Sequence, residues 1–153
     1  MLELTDTVAI DAPADAVWAW LRDLPRHYLE WHPAHTRAEW ITGGPGQQGA
    51  QLRIDEVLHG EPHTLRMVVT EIREDPGRMH LAYRISSRIG LLIPKGRFEV
   101  VRDDGGCIFT AGLHVRAPRL VARLFRRQYL DLKTHLREEG ANLKALLESA
   151  RDA

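Results

Sequence analysis

Cysteine is almost absent. The 153 residues hold one, Cys107, which rules out an internal disulfide and any cysteine-built metal knuckle. It reads instead as a small buried hydrophobe on a strand. An excess of charge is missing too. Lys plus Arg and Asp plus Glu each number 21, and a zero balance argues against a nucleic-acid partner. No apolar run nears the roughly 20 residues of a membrane span. Residues 1–11 carry acidic side chains and no basic n-region. No secretory signal is therefore expected, and the cytoplasm is the expected compartment. The glycines of 43–49 lack the lysine and serine of a phosphate loop, which removes a nucleotide site. No internal repeat is visible.

What is present suits one folded unit. Hydrophobic residues make up 44% and charged residues 27% of the chain, an ordinary globular composition. A chain of this length buries about 68–70% of its unfolded surface. Residues 1–148 are expected as a single domain and 149–153 as a frayed tail. Leu2, Leu4, Val8 and Ile10 alternate as in a strand. Pro13 and Asp15 suit the first turn of a helix carrying Val17, Trp18, Trp20 and Leu21. A second short helix is expected over 26–31, stopped by Pro33. The apolar period then becomes two, and strands are expected at 36–42, 51–58, 64–73, 79–85, 96–102 and 107–115. Residues 43–46, 60–62, 75–78 and 103–106 are the turns between them. Residues 86–95 read as irregular. Leu91-Leu92-Ile93-Pro94 within them reads as an exposed apolar gate, a dimer contact or ordinary packing.

The last third reads as one long amphipathic helix over 118–148. Leu132, Leu136 and Leu143 form its stripe, extended by Val121, Phe125 and Leu147. The resulting fold class is α+β: a curved antiparallel sheet of about seven strands around a long C-terminal helix, with two short helices after the first strand. A sheet with one dry face must be covered, and a gap beneath the cover becomes a ligand cavity. This order resembles the START-like superfamily, the helix-grip fold of polyketide cyclases, pollen-allergen-type proteins and lipid-transfer domains. Three stretches carry the resemblance: residues 10–18 (IDAPADAVW), Arg97-Phe98-Glu99-Val100 and residues 140–148 (GANLKALLE).

Two residues interrupt the oily helix face. His135 and Glu139 are four apart and therefore neighbours. Glu139 falls inside the stripe, and His135 lies at its edge. Glu56 shares its strand side with Leu52, Ile54 and Leu58, so it also faces inward. Trp31-His32-Pro33-Ala34-His35 ends the second short helix. Two inward carboxylates repel one another, and a divalent cation relieves that while using the histidines. Two His and two Glu suit zinc.

The pattern is similar to that of the diacetylphloroglucinol hydrolases, zinc enzymes that cleave the carbon–carbon bond between an acyl group and a phenolic ring. That resemblance implies His35 (or His32), Glu56, His135 and Glu139 as metal ligands and catalytic residues. It implies a small hydrophobic or aromatic carbonyl compound as ligand. Tyr28, Tyr83 and Tyr129 are candidates to hold it, His59, His80 and His114 are candidate acids, and Trp18, Trp40, Phe98 and Phe109 are candidate walls. A monomer or homodimer is expected. The alternative is a metal-free carrier or cyclase-like protein, with Glu56 and Glu139 protonated or paired to Arg53 or Arg97. A third reading, an interaction module, expects a collapsed cavity and an exposed patch at 89–93. The basic run Arg116, Arg119, Arg123, Arg126 and Arg127 is a solvated rim, or a contact for an anionic ligand or membrane surface.

Overall fold

Alternation in the first residues forms β1 (Leu2–Ile10), which buries Leu4 and Ile10. A computed structural model describes residues 2–58, 60–116, 123–124 and 126–152. His59, Arg119 and the expected helix positions Pro118, Val121 and Phe125 lie outside the described residues. Pro13 caps α1 (Ala14–Arg22), whose inner side is Val17, Trp18, Trp20 and Leu21. Leu24 and Pro25 then open α2 (Leu24–Trp31), two residues earlier than the pattern indicates. Proline fits there because the first turn of a helix leaves its N–H groups unpaired anyway.

Six strands follow: β2 (His35–Thr42), β3 (Gln51–Leu58), β4 (Glu61–Asp75), β5 (Arg78–Ile85), β6 (Lys95–Asp103) and β7 (Gly106–Val115). All pair antiparallel in the order β1-β7-β6-β5-β4-β3-β2. The turn expected over 60–62 is tighter than that, because Pro62 already pairs with Val57 across the hairpin. Between β5 and β6 the irregular stretch contains a short 3-10 turn, Arg88–Leu91.

The covering helix, α3 (Arg126–Asp152), buries Leu136, Glu139, Gly140, Leu143 and Leu147 against the sheet. Gly140 permits the closest approach, since a Cβ there would stand 2.6 Å from Asp6 Oδ2 on β1. The helix runs past Glu148, where its end was expected. Arg151 explains the extension: its guanidinium donates to the backbone oxygen of Asp11 at 3.0 Å and also meets that residue's carboxylate. Among the described residues no helix is long and apolar enough to cross a membrane. The architecture is a helix-grip fold.

Candidate metal centre

Two local rules bring four side chains together. His35 opens β2 and stands directly opposite Glu56 of β3. Such cross-strand partners lie about 4.5–5.5 Å apart at Cβ. A register shift between His35 and Arg37 lets the first residue of the strand face inward while the rest of β2 stays largely exposed. His135 and Glu139 are i,i+4 neighbours on α3. One ligand atom from each of the four lies within 4.8 Å of the others.

His35 Nε2 is 3.3 Å from Glu139 Oε1 and 3.7 Å from Glu56 Oε2. His135 Nε2 is 2.5 Å from Glu139 Oε1 and 3.9 Å from Glu56 Oε2. Donors around a four-coordinate zinc, each about 2.0–2.1 Å from the ion, stand about 3.3–3.4 Å apart. The observed spacings bracket that value. His135 Nε2 is buried and close to a carboxylate, yet the angles are not those of a hydrogen bond, and it has no hydrogen-bond partner among the described residues. Buried polar nitrogens are rarely left so.

The surrounding bonds orient the donors. His35 Nδ1 lies 2.9 Å from the backbone oxygen of Tyr28. A carbonyl only accepts, so the proton sits on Nδ1 and a neutral ring turns the Nε2 lone pair into the cluster. A backbone carbonyl on the second ring nitrogen is the usual support of a metal-binding histidine. The Tyr28 ring stacks on His35 at 3.7 Å between centroids, and its hydroxyl donates to Glu56 Oε2 at 2.8 Å. His32 is oriented oppositely. The Ala34 N–H donates to His32 Nδ1 at 2.9 Å, so a neutral ring carries its proton on Nε2, 2.7 Å from Glu138 Oε2. His32, His135 and Glu138 also lie near one another, but His32 has no free lone pair to offer there. Of the two histidines left open by the sequence, His35 is the one that faces Glu56 and Glu139.

The two glutamates titrate in opposite directions. Burial, followed by the Glu139 charge, raises Glu56 against the Tyr28 bond and the histidines. Burial also opposes ionisation of Glu139, but the adjacent imidazoles of His135 and His35, in their protonated forms, outweigh it and hold that carboxyl at about 2. For His135 burial favours the neutral ring, and Glu139, aided by Glu56 and Glu138, overrides it and raises the value. Burial and then the two carboxylates push the Tyr28 hydroxyl well up, so it stays a donor.

Glu56, His135 and Glu139 line one part of a cavity of about 70 Å³. The remaining wall is chiefly apolar, with Met67, Phe98, Leu132 and the Tyr83 ring, and Ile89 and Ile93 come from the 3-10 stretch. Other expected participants are elsewhere. His80 and His114 lie near Glu99 and Glu3, at 3.9 and 4.0 Å, away from the cavity wall. Trp18 and Trp40 donate to Glu74 and Asp23, and Phe109 is fully buried in the core. Tyr129 packs against the core without lining the cavity. Arg53 pairs with Asp55 and Arg97 with Glu3, so neither reaches Glu56 or Glu139. The sequence reading missed Asn142, whose amide donates to the Trp31 backbone oxygen at 2.9 Å while Trp31 Nε1 donates to the Glu139 backbone oxygen at 2.8 Å. Its position three residues after Glu139 was the available signal.

Several solved structures share this fold. A Thermus thermophilus protein superposes with a TM-score of 0.73 at 13% identity, covering 97% of this chain and 99% of that one. A START superfamily protein from Mycobacterium smegmatis gives 0.67 at 16% identity, with 97% and 98% covered. BexL, a di-domain ARO/CYC protein of the BE-7585A biosynthetic pathway, gives 0.71 at 23% identity, with 96% of this chain and 50% of that one covered. No curated protein matches the chain. The model of one family matches residues 1–148. The chain thus belongs to the START-like polyketide cyclase / dehydrase and lipid transport family.

Proposed function

We propose that this chain binds a small apolar or aromatic carbonyl compound in its cavity and holds a divalent cation, zinc by its donor set, at the cavity wall. His35, Glu56, His135 and Glu139 would hold the ion. The observation that carries the reading is the convergence of His35, Glu56, His135 and Glu139, with one donor atom from each within 4.8 Å of the others. Imidazole and carboxylate donors are usual protein ligands of zinc. A cation there supplies Lewis-acid polarisation of a carbonyl oxygen. The chain itself does the rest. Tyr28 fixes Glu56, the Tyr28 carbonyl sets the His35 tautomer, and the Phe98 and Met67 walls exclude water around a bound ring.

Family membership and the BexL likeness support a binding or cyclase-like role. The second reading, hydrolysis of an acylphenol carbon–carbon bond, is favoured by the donor set alone. It also needs an acid near the ring carbon, and His80 and His114 do not reach the cavity. The test is the metal content of untagged protein by plasma mass spectrometry, beside His135→Ala and Glu139→Gln. Near-stoichiometric zinc, lost in both folded variants, supports the centre. No metal above background after supplementation with zinc or manganese overturns it. Turnover of acylphenols by the loaded protein then separates hydrolase from binder.

A further inference from the structure

A zero net charge conceals a strong segregation. Residues 84–95 contain three basic side chains and no acid, and residues 112–130 contain five and no acid. Eight of the 21 basic residues thus fall in stretches that hold none of the 21 acids. The fold joins residues 112–116, the described start of the second stretch, to the first. The Arg116 N–H donates to the Leu92 oxygen at 2.7 Å, tying the end of β7 to the 3-10 stretch. Glu3, beside them on β1, is already paired with Arg97.

Exposed leucines stand among these charges. Leu91 is 71% and Leu92 56% exposed, and Leu124, just before α3, is 76% exposed. Arg88, Lys95 and Arg116, near Leu91 and Leu92, are exposed as well. Water-facing leucines of this size cost free energy unless something covers them. The same stretch sends Ile89 and Ile93 into the cavity wall, so whatever covers the leucines also rests on a segment that lines the cavity.

We propose that this rim, leucine tips ringed by arginine and lysine, docks on an anionic lipid bilayer and opens the cavity toward it. Each basic side chain near such a surface is attracted to it, while the leucines enter the headgroup boundary. A second copy of the chain fits less well, because two rims of the same sign repel. The inference stands apart from the metal reading, since no donor of that cluster takes part.

The experiment is flotation of the full chain with phosphatidylcholine vesicles, with and without about 30% phosphatidylserine. Binding is expected only to the anionic vesicles, weakened by salt and unchanged by a chelator. Leu91→Glu with Leu92→Glu should lower partitioning by roughly tenfold or more. Arg88→Glu or Lys95→Glu should lower it about fivefold. Leu29→Glu, at an exposed leucine on α2, should leave it unchanged. Circular dichroism melts establish that each variant folds. Absence of binding to anionic vesicles, or binding indifferent to the rim variants, overturns the proposal. So does self-association in sedimentation that the leucine double variant abolishes while vesicles go unbound.

Discussion

At the residue scale the decisive side chain is Tyr28. Its hydroxyl is the donor that offsets the burial of Glu56, and its carbonyl holds His35. Tyr28→Phe keeps the stacked ring and deletes one bond. Leaving a buried carboxyl short of a donor costs about 1–3 kcal/mol, which chemical denaturation would read directly. On the metal reading the same change weakens zinc about 10–100-fold, measurable by competition with a chromophoric chelator. A stability loss with unchanged zinc affinity would remove Tyr28 from the support of the centre. Which histidine faces inward was only partly legible: the sequence favours His35 because it begins the strand after the short helices, and the Ala34 N–H that occupies His32 Nδ1 is visible only in the fold.

At the element scale much of the fold was legible. Leu52, Ile54 and Leu58 on one strand side, and Leu136, Leu143 and Leu147 on one helix side, are the periodic signals a buried face leaves. Glu56 and Glu139 stood out because they break those same rows. The His35–Glu56 register was not legible, because it depends on a bulge in β2. Nor was the true end of α3, because local composition says nothing of the distant Arg151–Asp11 contact. Close packing between β5, β6 and β7 gives a further test. A Cβ at Gly96 would stand 2.3 Å from the Tyr83 hydroxyl and 2.9 Å from the Gly112 backbone oxygen. Backbone cannot yield as a side-chain tip does. Gly96→Ala is expected to cost about 1–3 kcal/mol and to lower the melting temperature while displacing Tyr83 from the cavity wall.

At the scale of the whole molecule, the four-residue cluster couples stability to pH. In the metal-free protein His135 is raised, so its contribution is complete below 6.5 and is lost as pH rises through the raised value. Glu56 is raised too, so folding takes up a proton there and stability falls as pH climbs above 4.5. Glu139, held at about 2, contributes above 4.5 and is lost only as pH falls toward that value. Metal-free protein should therefore melt at a higher temperature near about pH 5.5 than near about pH 8. Zinc competes with protons for the same atoms, so loaded protein should show the opposite slope in differential scanning calorimetry. Parallel slopes with and without zinc would show that the ion does not sit in this cluster.

The long helix is fastened very differently along its two sides. Toward β1 it is held by the Gly140 contact, by Lys144 on the Ala9 oxygen and by Arg151 on Asp11. Toward α2, β2 and β3 it is held by the Trp31 and Asn142 bonds and by the four-residue cluster. The second side holds the residues that could take an ion, and is the latch. An ion across the latch would turn an open sheet into a closed clasp, joining its two edge strands, β1 and β2, through the helix. Guest exchange would then be gated by the metal, slow while the clasp is shut and fast once a chelator springs it.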